Sequence, residues 1–156
     1  MPIDVYRILL NSESRTSGSR DNANYEVRIP NRRSSYLKYE LYVDDFTINL
    51  GATTIDSILV NLNNSLQYNS WNSTTEGQNP TIAIVFPQSV TSGRTDNLIC
   101  SYQNATAPYV IQALPSNMNV LMTDIDNATL DLDTNSNFWC LNLRIHAHYD
   151  YDYDKE

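Results

Sequence analysis

Trp139-Cys140-Leu141-Asn142-Leu143-Arg144-Ile145-His146-Ala147-His148 is the stretch on which the fold turns. Trp139, Leu141, Leu143, Ile145 and Ala147 are apolar, and Asn142, Arg144, His146 and His148 between them are polar. An extended chain points successive side chains to opposite faces, so a period of two predicts one long strand with a buried and a wet face. The same alternation runs through Tyr25, Val27 and Ile29, with Glu26 and Arg28 between them, until Pro30 ends the ladder. Residues 4–10 form an opening strand, and residues 12–22, without an apolar side chain, form a polar loop.

From Tyr36 to Leu50 the pattern changes phase. Leu37, Tyr39, Leu41 and Val43 share one parity, whereas Phe46, Ile48 and Leu50 take the other. A flip at Asp44-Asp45 predicts a β-bulge or a corner between sheets. Residues 55–66 fit a helix or a strand, and the helix-poor Asn61, Asn63 and Asn64 favour the strand. Further strands are predicted at 82–86, 98–102, 109–114 and 118–125, punctuated by Pro80, Pro87, Pro108 and Pro115. Eight or so short strands without intervening helices predict an all-β fold over residues 1–156, one antiparallel two-sheet sandwich or jelly roll.

Composition agrees with one β domain. The 156 residues suffice for a core without metal or disulfide staples, and 11 tyrosines suit pleated surfaces, while the abundant asparagine suits turns. Cys100 and Cys140 lack zinc or redox spacing and read as two buried thiols, with a disulfide between neighbouring strands as the alternative. Sequons at Asn63, Asn72, Asn104 and Asn127 match the roughly three that chance supplies at this Asn, Ser and Thr content. The N-terminus has no secretory pattern, and no apolar run is long enough to span a bilayer, so a soluble, unprocessed chain without membrane insertion is expected.

A net charge of −8 speaks against nucleic-acid partners, which demand a basic footprint. Its distribution is uneven: residues 1–38 carry seven basic and four acidic groups, residues 39–156 three and fourteen. Such a division can orient one subunit on another.

Chemistry finds little purchase. His146 and His148 share one strand face and are weak candidates for a metal pair, with solvated imidazoles as the plainer alternative. No nucleophile motif, phosphate-cradling glycine loop or zinc-protease helix occurs, so neither catalysis nor a cofactor is expected. The acidic run 124–133 departs from a helical calcium loop at Ala128 and Thr129 and reads as a turn. Trp71, placed in a loop between Asn69 and Thr75, could stack a sugar or anchor a neighbouring subunit.

The stretch Tyr149-Asp150-Tyr151-Asp152-Tyr153-Asp154-Lys155-Glu156 continues the strand parity and reads as a partner-binding tail, or else as a frayed end. Candidate subunit contacts are therefore Arg15, Arg20, Arg32, Arg33, Trp71, Tyr149, Tyr151 and Tyr153.

Four segments stand out in order and pattern: Val5-Tyr6-Arg7-Ile8-Leu9-Leu10-Asn11-Ser12 leading into Arg15-Thr16-Ser17-Gly18, the strand from Tyr36 through Phe46-Thr47-Ile48, Val120-Leu121-Met122-Thr123-Asp124, and Asn137-Phe138-Trp139-Cys140-Leu141-Asn142-Leu143-Arg144-Ile145. Together they resemble the single jelly-roll minor capsid and penton-type proteins of large icosahedral double-stranded DNA viruses. The resemblance implies a non-catalytic virion component, made and assembled inside the host cell. It would pack against other capsid proteins, a major capsid protein among them, or against copies of itself in a homo-oligomer. A penton vertex protein and a carbohydrate- or receptor-binding head of an attachment fibre are the alternatives.

Overall fold

The computed structural model describes residues 2–29, 36–50, 55, 57–63, 70–72, 77–79, 81–86, 98–102, 108–111, 113–133 and 137–149. These contain twelve strands and no helix: β1 (Ile3–Asn11), β2 (Ser17–Gly18), β3 (Asn22–Glu26), β4 (Tyr36–Leu50), β5 (Ile58–Asn63), β6 (Ser70–Asn72), β7 (Gly77–Asn79), β8 (Thr81–Val85), β9 (Leu98–Tyr102), β10 (Tyr109–Ile111), β11 (Asn117–Thr123) and β12 (Phe138–Tyr149).

All pairings are antiparallel. One sheet runs β1-β12-β4, with β9 and β10 taking successive stretches of the far edge of β4; the other runs β2-β3-β11-β5-β8. The strands β6 and β7 make a separate two-stranded ribbon. With β9 and β10 counted as one position and the two-residue β2 set aside, eight positions remain, in the orders 1-8-3-6 and 2-7-4-5. That is the double Greek key of a jelly roll.

The core lies where the two sheets face each other. Leu41, Phe46, Ile48, Trp139, Leu141 and Ile145 of the first sheet are fully buried, as are Ile58, Leu62, Met118, Val120 and Met122 of the second. Each such side chain contributes about 1.5–3 kcal/mol on leaving water, so the inward-facing residues of both sheets supply much of the stability. Trp139 sits centrally, edge-on to Tyr25 at 6.1 Å and 6.3 Å from Phe46.

The phase flip in β4 is a bulge. Asn142 pairs with Asp45 and Leu143 with Val43, so Asp44 has no partner in register. The extra residue swings Phe46 and Ile48 onto the same buried face as Leu41 and Val43. The ambiguous segment is a strand, β5, and its unbroken apolar run follows from burial on both faces: Ile58, Leu59 and Val60 are all inaccessible.

Several details depart from the sequence reading. The strand expected through Ile29 ends at Glu26, and the polar loop 12–22 contains β2, which pairs with β3. Gly18 makes that loop possible: its φ is +91°, and a Cβ there would lie 2.1 Å from the Asn22 carbonyl oxygen. Trp71 is on a strand, β6, and not in a loop, because residues 70–72 pair with 77–79. Asparagine is also more than a turn residue. Asn119 donates to Asn22 Oδ1 at 2.7 Å and Asn24 Oδ1 at 2.9 Å, an amide ladder on the solvent face of the second sheet. The acidic run is indeed a turn: Asp124 Oδ1 accepts from the N–H groups of Asp126 and Ala128, and Asn127 takes φ 64°.

Candidate interaction surface

The outer face of the first sheet carries most of the polar side chains singled out on β12. His146 and His148 share it, but each imidazole has a protein neighbour at Nε2. Arg144 Nη1 donates to His146 Nε2 at 2.8 Å, and His148 Nε2 lies 2.9 Å from Glu40 Oε2. The Arg144 guanidinium thus occupies the Nε2 side of His146. Arg144 also grips Asp44, the bulge residue, at 3.0 Å, and stacks over Tyr42 at 4.6 Å. The bulge therefore supplies the carboxylate that orders this network.

Glu40 is the most perturbed group of the face. Its side chain is 13% exposed, and its pKa falls from 4.5 to about 2, chiefly through the hydrogen bond from Lys38, with His148 adding to it and burial opposing both. Burial, and then Arg144, lowers the pKa of His146 below its usual 6.5. Both shifts favour the folded state at neutral pH and lose that contribution in acid. His146 begins to destabilise the fold as the pH drops below 6.5, and Glu40 does so between pH 4.5 and 2. Glu40→Gln should cost about 1–2 kcal/mol at pH 7, because half-exposed Lys38 leaves the pair partly screened, and almost nothing at pH 2. Urea midpoints at the two pH values measure this; an equal cost at both would remove the electrostatic explanation.

Beside this network lies an edge that no other strand among the described residues covers. The ladder between β1 and β12 is anchored at one end by Ser12 N–H donating to Trp139 O at 3.0 Å, and at the other by Tyr149 N–H donating to Pro2 O at 3.2 Å. Antiparallel pairing alternates, so the even-numbered residues of β1 bond to β12. The main-chain groups of Ile3, Val5, Arg7 and Leu9 therefore point away from the sheet. The same four residues face the outside, with Ile3, Val5 and Leu9 42%, 51% and 61% exposed. Between this edge and residues 26–29, at and just beyond the end of β3, runs a groove of about 460 Å³, lined by Val5 to Leu10 and Glu26 to Ile29.

Edge strands usually carry charges, proline or a bulge that forbids further pairing. Here Arg7 is the one charge among the four outward residues. Nine residues of edge with an apolar row form a template for another chain.

The predicted contact residues are scattered. Arg15 and Arg20 serve their own chain: Arg15 donates to Gly18 O at 3.0 Å and to Ser12 O, and Arg20 pairs with Glu13 at 3.0 Å and approaches Asp133 at 3.9 Å. Tyr149 is 7% exposed and packs edge-on against Tyr36, so it belongs to the rim of the core. Arg32, Arg33, Tyr151 and Tyr153 lie outside the described residues, and Trp71 is described by its backbone pairing. Cys140 is free; it sits on β12 and Cys100 on β9, at opposite edges of β4. Two strand spacings, about 9.6 Å, exceed the Cα separation a disulfide tolerates. The open β1 edge escaped the sequence reading, because Ile3, Val5, Arg7 and Leu9 signal an edge only once the pairing of β1 is known.

No protein-family model matches the chain, and no curated protein matches it in sequence. Among the described residues no helix is long and apolar enough to cross a membrane.

Proposed function

We propose that the protein is a non-catalytic structural component of a virion, a minor capsid jelly roll that packs against major capsid capsomers or neighbouring copies. The observation that carries this reading is the unblunted edge of β1, nine residues long, with Ile3, Val5 and Leu9 in the open. A chain that stays solitary would risk edge-to-edge aggregation with such a strand, whereas a chain completed by its neighbours needs it. The double Greek key supports the reading, because jelly rolls build viral coat domains; they also build lectins, so the fold alone does not decide. The division of charge between residues 1–38 and the rest suits head-to-tail docking of copies or dissimilar subunits.

Reconstitution tests it. Shells assembled from the major capsid protein of the same source should take up this protein at symmetry-fixed positions visible by electron cryomicroscopy. Shells that form with the protein left in solution, together with saturable binding on a glycan array, would replace the capsid role with the sugar-binding one.

A further inference from the structure

The open edge of β1 invites a definite occupant. Residues 150–156 alternate tyrosine and aspartate before Lys155 and Glu156, the pattern of a strand with one aromatic and one acidic face. An added strand beside β1 would be coplanar with it. One of its faces would continue the inner surface, over the groove where Val27 is buried and Ile29 half-buried; the other would continue the outer surface that carries Arg7. Tyrosines match the first and aspartates the second. Arg28, 87% exposed at the rim and only loosely paired to Glu26 at 3.4 Å, adds a further cation.

Residues 150–156 of the same copy are too short to line the whole of this edge, and entering beside Ile3 they would run parallel to β1. They leave β12 at Tyr149, beside Pro2, and would have to cross two strand spacings, about 9.6 Å, before turning along β1. Running from Ile3 to Leu9 takes about another 20 Å. Seven extended residues reach at most about 25 Å.

We propose that the β1 edge binds residues 150–156 of a second copy of this chain as an added antiparallel strand, with Tyr151 and Tyr153 closing the groove and the aspartates facing Arg7. This deepens the assembly role proposed above and rests on it. The contact joins one copy's edge to another's tail, so it closes by reciprocal exchange into a pair or repeats into rings and rows, according to the angle between copies.

Val5→Pro is the discriminating variant. It deletes a main-chain donor that points away from β12, and it leaves the ladder within the sheet intact. Sedimentation velocity of the full-length protein should show concentration-dependent association. Val5→Pro should weaken it about tenfold or more, with an unchanged circular-dichroism spectrum. A labelled peptide of residues 149–156 should bind the wild type and bind Val5→Pro at least about tenfold less well. If Val5→Pro fails to fold, the double variant Tyr151→Ser, Tyr153→Ser decides in its place by the same association measurement. Association that neither change weakens, or a wild type that is monomeric at every concentration and ignores the peptide, overturns the proposal. A monomer that still enters shells would overturn this contact and leave the capsid role standing.

Discussion

Trp139→Ala is expected to remove about 3–5 kcal/mol of stability, a large share of the 5–15 kcal/mol that holds a domain of this size together. Trp139 is completely buried near the start of β12, between Tyr25 and Phe46. Its indole Nε1–H donates to Arg20 O at 2.7 Å, which ties the loop before β3 to the core. Alanine would leave a cavity between the sheets and strip that carbonyl of its donor. Because Arg20 also holds Glu13 and lies near Asp133, the damage should spread to the loop. Chemical denaturation followed by circular dichroism measures the loss. Trp139→Phe should cost less, since most of the volume remains and only the donor disappears. A loss below about 1 kcal/mol for the alanine variant would place the indole outside the load of the core.

Asn61→Leu should cost about 2–3 kcal/mol even though it makes a buried position more apolar. Asn61 is 6% exposed, at the register shift where β5 meets β8. Its Nδ2 donates to Leu121 O at 3.1 Å, and its Oδ1 accepts from the Thr81 hydroxyl at 2.6 Å. One amide thus joins β11, β5 and β8. Leucine, of similar shape, would take this amide partner from the Thr81 hydroxyl and the Leu121 carbonyl. Paired with Thr81→Val in a double-mutant cycle, it should recover part of the loss, since removing both partners costs less than stranding one. Equal costs in the two backgrounds would show that the hydrogen bond carries no coupling energy.

The two cases differ in what the sequence shows of them. Trp139 announces itself through the alternation around it. Asn61 does not: its poor helix propensity argues for a strand and says nothing of a buried link across three strands. The same holds for the outer face. The parity of His146 and His148 places both on one surface, yet the partners at their Nε2 atoms, Arg144 and Glu40, follow from the pairing of β12 with β4 and from the position of the bulge.

By itself, the order of apolar and polar residues determined that this chain builds two antiparallel layers, which residues meet between them, and where β4 must change phase. Period-two patterning is local, and burial of one face leaves it no alternative register. Tertiary structure alone decided that β1 is an edge, that Arg15, Arg20 and Tyr149 are occupied within the domain, and that Cys100 and Cys140 lie too far apart to join. Such facts depend on which strands become neighbours, and neighbours distant in sequence are chosen by the packing of the whole core.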